Sequence, residues 1–149
     1  MDEMDKALLN RIQSNFPLTQ RPFKTIGDEL DLAESDVLAR LVRLKQDGII
    51  RRIGANFVPD KLGYVSTLCA AKVPEAILDL FTETVNRYSG VTHNYLRDDA
   101  YNVWFTFIAP SMDEIEENLA TIARETSVVD ILNLPATHVF KIRAQFDLS

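Results

Sequence analysis

The hydrophobic period of the chain changes near residues 60–63, and that change restricts the fold more than any other feature. Up to this point apolar residues recur at helical spacing. The stretch "MDEMDKALLNRIQSNF" places Met4, Ala7, Leu8, Ile12 and Phe16 close to one face, with acidic residues in the first turn, where a helix dipole favours them. "PLTQRPF" interrupts it, because Pro17 and Pro22 cannot continue a helix. Thr25 is the expected N-cap of the second helix, "IGDELDL", with Asp28 at the third helical position completing a capping-box-like pattern. Glu34 or Ser35 opens the third helix, whose Val37, Leu38, Leu41, Val42 and Leu44 form an apolar stripe and which Gly48 ends. "IIRRIGANFVPDKLG" follows as a short strand pair. Three short helices and a wing predict a winged helix-turn-helix over residues 1–62.

From residue 63 to 149 the rhythm is that of strands and helices in turn. "YVSTLCAAKV" is an expected strand and "PEAILDLFTETVNRYSG" a helix. "VTHNYLR" and "YNVWFTFIA" are two strands around a turn at Asp98–Asp99, and "SMDEIEENLATIARE" is an amphipathic helix with Ile115, Leu119 and Ile122 facing inward. "VVDILNLPATHVFKIRAQF" supplies the last strand or two, with Pro135 interrupting or bending it. The order β-α-β-β-α-β predicts a ferredoxin-like domain, an antiparallel sheet with both helices on one face, and the chain as a whole is α+β.

Composition excludes several classes. A hydrophobic fraction of 46% with 26% charged residues is that of a globular protein, and no apolar run approaches the roughly 20 residues that span a bilayer. The acidic start lacks a signal peptide's basic and apolar segments, so the expected location is the cytoplasm. The formal charge of −6 comes from the second half: residues 1–63 hold ten Lys/Arg and ten Asp/Glu, residues 64–149 six and twelve. This balance weakens a nucleic-acid reading without excluding it. The single cysteine, Cys69, permits no internal disulfide, lies among small and apolar residues, and is expected as a buried hydrophobe. With only His93 and His138 for imidazoles, a metal site made from this chain's His and Cys alone is hard to build, whereas a metal carried inside a ligand is not excluded.

The stretch "GVTHNYLRDDAYNVWFT", residues 90–106, is richer in polar and aromatic side chains than packing alone requires. With Asp98 and Asp99 as a two-residue loop, Arg97 pairs with Ala100, Tyr95 with Asn102 and His93 with Trp104. Paired residues share a face, as do alternate residues along a strand. One face therefore carries His93, Tyr95, Arg97, Asn102, Trp104 and Thr106; the other carries Asn94, Leu96, Tyr101, Val103, Phe105 and Phe107. The second set is the more apolar and is expected against the helices. The first then lies on the open face of the sheet, as the wall of a site.

Taken together, these segments resemble the Lrp/AsnC architecture, in which a winged helix-turn-helix is joined to a ferredoxin-like domain that dimerises through its open sheet face. "VLARLVRLKQDGIIRRIGANFVPDKLG" is similar to that family's third helix and wing. A more specific resemblance is to siroheme decarboxylases of the alternative heme pathway and their relatives in heme d1 synthesis, carried by "RPF", by "IIRRIGANF" and above all by "THNYLR" followed by "YNVWFT". It covers essentially the full length. It implies a carboxy-lyase that removes CO2 from the C12 and C18 acetate side chains of siroheme to give 12,18-didecarboxysiroheme, and a paralogous subunit as partner in a heterodimer, with a homodimer as the alternative.

The chemistry that this resemblance implies suits the residues. The tetrapyrrole accepts the electron pair left by departing CO2, so no cofactor is needed beyond the iron-containing tetrapyrrole substrate itself. The protein must supply a proton donor, a clamp for carboxylates and an apolar slot for the ring. His93 is the first choice as general acid, or else as axial ligand to the substrate iron. Tyr95 can hydrogen-bond a carboxylate or relay a proton, and His138 can supply the second imidazole, as acid or as iron ligand. Arg97 can hold an acetate or propionate by two bonds, Asn102 lies beside it, Trp104 can stack on the ring, and Lys141 and Arg143 follow His138 at alternating positions suited to further carboxylates.

Plainer readings stand beside these: His93 as a hydrogen-bonded structural histidine, Trp104 as an interface aromatic, Arg97 as a surface ion pair with Asp98 or Asp99, and Arg51 and Arg52 as solvated or as phosphate contacts. The rival function is an Lrp/AsnC-type transcriptional regulator, or a heme or siroheme sensor without chemistry. Arg40, Arg43 and Lys45 would be its phosphate contacts, but the third helix opens with Glu34 and Asp36, where a recognition helix meets the groove, so DNA binding is not expected.

Overall fold

Apolar stripes at helical spacing in the first fifty residues bury themselves against one another. A computed structural model describes residues 1–141 and 145–148 and divides the chain into two units, one of Met1–Ala55 with the C-terminal residues from Lys141, the other of Asn56–Phe140. In the first unit, α1 (Glu3–Ser14), α2 (Pro22–Leu30) and α3 (Glu34–Gln46) surround a core of Leu8, Leu9, Ile26, Val37, Leu41, Leu44 and Ile50. Asp2 caps α1: the Asp5 N–H donates to its Oδ1 at 2.8 Å and the Asp2 N–H to Asp5 Oδ2 at 2.9 Å. The second helix begins three residues before the expected cap at Thr25, because Pro22 occupies the first turn, where its missing N–H goes unused and its fixed φ suits a helix. Thr25 instead donates its hydroxyl back to the Arg21 carbonyl. Gly48, at φ 74°, follows α3 as expected.

The wing departs from expectation, since residues 51–58 contain no strand. They run as an irregular segment into a short 3-10 helix, Pro59–Leu62. The apolar residues there, Ile53, Phe57 and Val58, are exposed, so a strand pair would have no core to pack against, and an isolated two-stranded ribbon is marginal in water.

The chain's end completes the first unit. Two amides one turn apart on α1 grip alternate residues of the tail: Gln13 Nε2 donates to the Phe146 carbonyl at 2.7 Å while the Phe146 N–H donates to Gln13 Oε1 at 2.9 Å, and Asn10 pairs in the same way with Leu148 at 3.2 and 3.3 Å. Leu148 packs against the helical core. Changing Asn10 and Gln13 together to alanine is expected to cost the unit about 1–2 kcal/mol. It should also bring the Phe146 and Leu148 amide hydrogens to the exchange rate of free chain, as measured by NMR.

In the second unit β1 (Val65–Ala71), α4 (Leu78–Asn86), β2 (Val91–Leu96), β3 (Val103–Ala109), α5 (Met112–Thr126) and β4 (Ile131–Leu134) follow in the anticipated order. The sheet order is β2-β3-β1-β4, antiparallel throughout. Cys69, Ala71, Val103, Phe105 and Phe107 pack against Phe81, Val85, Ile115, Leu119 and Ile122 of the two helices. Full burial of each such large side chain contributes about 1.5–3 kcal/mol. Both helices therefore cover one face and leave the other open. No helix among the described residues is long and apolar enough to cross a membrane.

Candidate active site

Alternation along β2 and β3 decides which side chains reach the open face. The hairpin loop is longer than the expected two residues. The Arg97 N–H donates to the Asn102 carbonyl at 2.7 Å, residues 98–101 form the loop, and Asp99 Oδ1 accepts the Tyr101 N–H within it. The register therefore sets Leu96 opposite Val103, Tyr95 opposite Trp104 and His93 opposite Thr106, two residues away from the expected pairing. A slip of two leaves every side chain on its face, since the side-chain period is two. His93, Tyr95, Trp104 and Thr106 share the open side.

They form a connected row. The His93 and Tyr95 rings stack with centroids 6.0 Å apart and planes 25° apart. The Arg97 guanidinium lies over the Trp104 ring, 5.7 Å from its centroid, and among the described residues no ion pair joins it to Asp98 or Asp99. The Trp104 indole N–H donates to the Tyr101 carbonyl at 2.6 Å, which fixes the ring. His93 Nδ1 lies 3.0 Å from Thr92 Oγ1. Asn102 behaves differently: its amide oxygen accepts the Val73 N–H and its amide nitrogen donates to the Val73 carbonyl, both at 2.8 Å, so it joins the start of β3 to the end of β1.

The strand registers also place Leu68, Ala70, Leu132 and Leu134 on the open face, with the three leucines about 40% exposed. The alternation in "VSTLCAA" and "ILNL" is the sequence signal of this apolar floor. The described strand residues contribute no carboxylate to this face. Beside the hairpin tip, a cavity of about 480 Å³ is lined by Glu75, Leu78, Leu96, Arg97, Asp98, Asp99 and Asn102. Its three carboxylates against one guanidinium suit an anion poorly.

His138 does not join the row. Among the described residues one strand, β4, lies in this stretch, and Pro135 follows it; His138 lies beyond in irregular chain, its ring edge-on to Phe140 at 4.7 Å. Strand β4 pairs with β1 at the sheet edge opposite β2, about 14 Å away at the usual strand spacing. Lys141 is exposed, and Arg143 lies outside the described residues. Cys69 is buried, and burial pushes its thiol up to about 12, so it is no nucleophile at neutral pH.

On the helical unit, the arginines that a DNA reader would present are otherwise engaged. Arg40 donates to Asp2 at 2.8 Å and to Asp5 at 2.7 Å, and Arg43 reaches both Asp5 oxygens at 2.6 and 2.7 Å. Burial alone would raise the Asp5 carboxyl, yet hydrogen bonds from Arg43, the Asp2 N–H and Arg40 hold it well below the usual carboxylate range.

Comparison with known proteins identifies the family. Residues 61–141 match the AsnC-like ligand binding domain, and residues 5–51 match the siroheme decarboxylase NirDL-like HTH domain. Over 148 residues the chain is 53% identical to the siroheme decarboxylase alpha subunit of Oleidesulfovibrio alaskensis, spanning 99% of this chain and 90% of that one. It is 55% identical over 146 residues to the alpha subunit of Desulfovibrio desulfuricans, spanning 98% and 84%. The crystal structure of the siroheme decarboxylase NirDL in co-complex with an iron-uroporphyrin III analogue superposes with a TM-score of 0.70 at 31% identity, covering 96% of this chain and 47% of that chain. This chain thus spans about half the length of that solved chain.

Proposed function

The chain belongs to the siroheme decarboxylase family, and we propose that it is the subunit of a carboxy-lyase that removes CO2 from the C12 and C18 acetate side chains of siroheme, giving 12,18-didecarboxysiroheme in heme biosynthesis. One observation carries the reading to this chain's own residues. On a single uncovered sheet face, an imidazole, a phenol, a guanidinium-capped indole and a leucine floor lie together without a carboxylate. A flat, apolar, multiply anionic ring calls for such a surface.

In the reaction, the bond between the acetate methylene and its carboxylate breaks. CO2 leaves, the electron pair passes into the macrocycle, and a proton comes to the methylene carbon to make a methyl group. The iron tetrapyrrole is substrate and electron sink together, and no further cofactor is required. His93 supplies the proton or binds the iron, Tyr95 hydrogen-bonds a carboxylate beside it, and Trp104 stacks on the ring. Arg97 leaves the indole to clamp an acetate or propionate. His138, which follows the opposite edge strand, is the second candidate for the acid or the iron ligand. Asn102 acts on substrate only through the strand ends that it joins.

The partly exposed leucines and Trp104 favour a second subunit over the open face, enclosing the ring, and the subunit names of the relatives favour a paralogue over a second identical copy. One unpaired cysteine suits the cytoplasm. The test is anaerobic incubation with siroheme, alone and with any co-encoded paralogue, following the mass of the extracted tetrapyrrole. Loss of two CO2 units is expected. Siroheme bound but unchanged in both incubations would leave a sensor.

A further inference from the structure

The ladder between β2 and β3 is broken at one point. Val91 pairs with Phe107 and His93 with Thr106, so Thr92 is one residue too many, a β-bulge. The chain enters the bulge through Gly90, whose carbonyl accepts the Ile108 N–H at 2.9 Å; a Cβ at residue 90 would fall 2.0 Å from the Ile108 oxygen, so the approach requires glycine. In a regular strand, neighbouring side chains point to opposite faces. At the bulge they do not, and Thr92 Oγ1 reaches His93 Nδ1 at 3.0 Å. The ring is thus tied through one nitrogen and, by its stacking on Tyr95, held in plane.

A neutral imidazole carries one N–H and one lone pair, so whatever engages Nδ1 decides what Nε2 can do. We propose that Thr92 is a positioning residue: its hydroxyl oxygen accepts the His93 Nδ1–H in both protonation states, which leaves Nε2 as the one nitrogen that delivers and regains a proton or binds the substrate iron. The inference rests on the reading of His93 as the working group. During turnover the Nε2 proton goes to the substrate carbon, the neutral ring keeps its hydrogen on Nδ1, and Nε2 regains a proton from solvent with no rotation of the ring.

Thr92→Val removes the hydroxyl while keeping the β-branch that suits a strand, and Thr92→Ser keeps the hydroxyl. In the full chain without substrate, long-range proton–nitrogen NMR of the His93 ring should show the Nδ1–H tautomer. Thr92→Val should move the population to Nε2–H and lower siroheme turnover about tenfold, the effect usual for loss of such a partner, and Thr92→Ser should restore both. A wild-type ring already in the Nε2–H form, or a tautomer indifferent to Thr92→Val, overturns the proposal. So does a tautomer that moves while turnover does not. In that last case His93→Ala, measured alongside, separates the two failures: unchanged turnover removes His93 from the reaction altogether, whereas lost turnover removes only Thr92.

Discussion

Replacing His93 by alanine is expected to abolish CO2 release from siroheme while leaving the fold intact. Proton delivery by a positioned group is worth on the order of 10²–10⁴ in rate, so the variant should fall to the limit of a mass-spectrometric assay. Stability should move by no more than about 0.5 kcal/mol. His93 stands on an edge strand of the sheet, on its open side, and is exposed; it touches Thr92 and the Tyr95 ring and takes no part in the core. The two roles open to its Nε2 separate in the same experiment. Loss of an iron ligand changes the absorption spectrum of bound siroheme before any turnover, while loss of a proton donor leaves binding and spectrum alone and stops the chemistry. If turnover survives with only a small loss, the donor is elsewhere, and Tyr95 or His138 is the next residue to replace.

The residues gathered around His93 were legible in the sequence because alternation is a local property. Alternation keeps His93, Tyr95, Trp104 and Thr106 on the open side and Val103, Phe105 and Phe107 in the core even though the loop runs over residues 98–101 rather than Asp98–Asp99 alone, whereas Leu96, expected against the helices, is exposed. Loop length itself was hidden, since "DD" satisfies a two-residue turn by composition and the closing bond from Arg97 to Asn102 has no local signature. Three other features depend on partners far along the chain. Asn102 sits among the site residues by alternation, yet meets the backbone of Val73. His138 follows a strand whose place at the far edge is fixed by pairing with β1. The tail is held by Asn10 and Gln13, more than 130 positions away. The strand pair of the wing failed for the opposite reason: "IIRRIGANF" has local strand character, but only Ile50 of it joins the helical core, and Ile49, Ile53 and Phe57 are exposed.

Asp5 makes the same point energetically, and replacing it should give the largest loss of stability in the helical unit. Its side chain is fully buried, accepts from Arg40 and Arg43, and completes the cap of α1 through the Asp2 N–H. Asp5→Asn keeps the shape and removes the charge, leaving two guanidinium groups facing a neutral amide. Breaking a fully buried ion pair costs about 3–5 kcal/mol; here both arginines are partly open to water, so a loss of roughly 2–3 kcal/mol is expected. The pH dependence has a definite sign. Because the folded carboxyl is held below the ordinary value of 3.8, its contribution is present above that pH and is lost as pH falls toward the folded-state value. The protection factors of the α1 and α3 amides, taken against intrinsic exchange at each pH, should therefore fall in the wild type on acidification below about pH 4, and the Asp5→Asn variant, already weakened, should lack that acid-dependent step. Siroheme turnover at a temperature where the variant remains folded is expected to match the wild type, because His93, Tyr95, Arg97 and Trp104 all belong to the other unit. A folded Asp5→Asn variant with lost turnover would instead place the helical unit in the reaction itself.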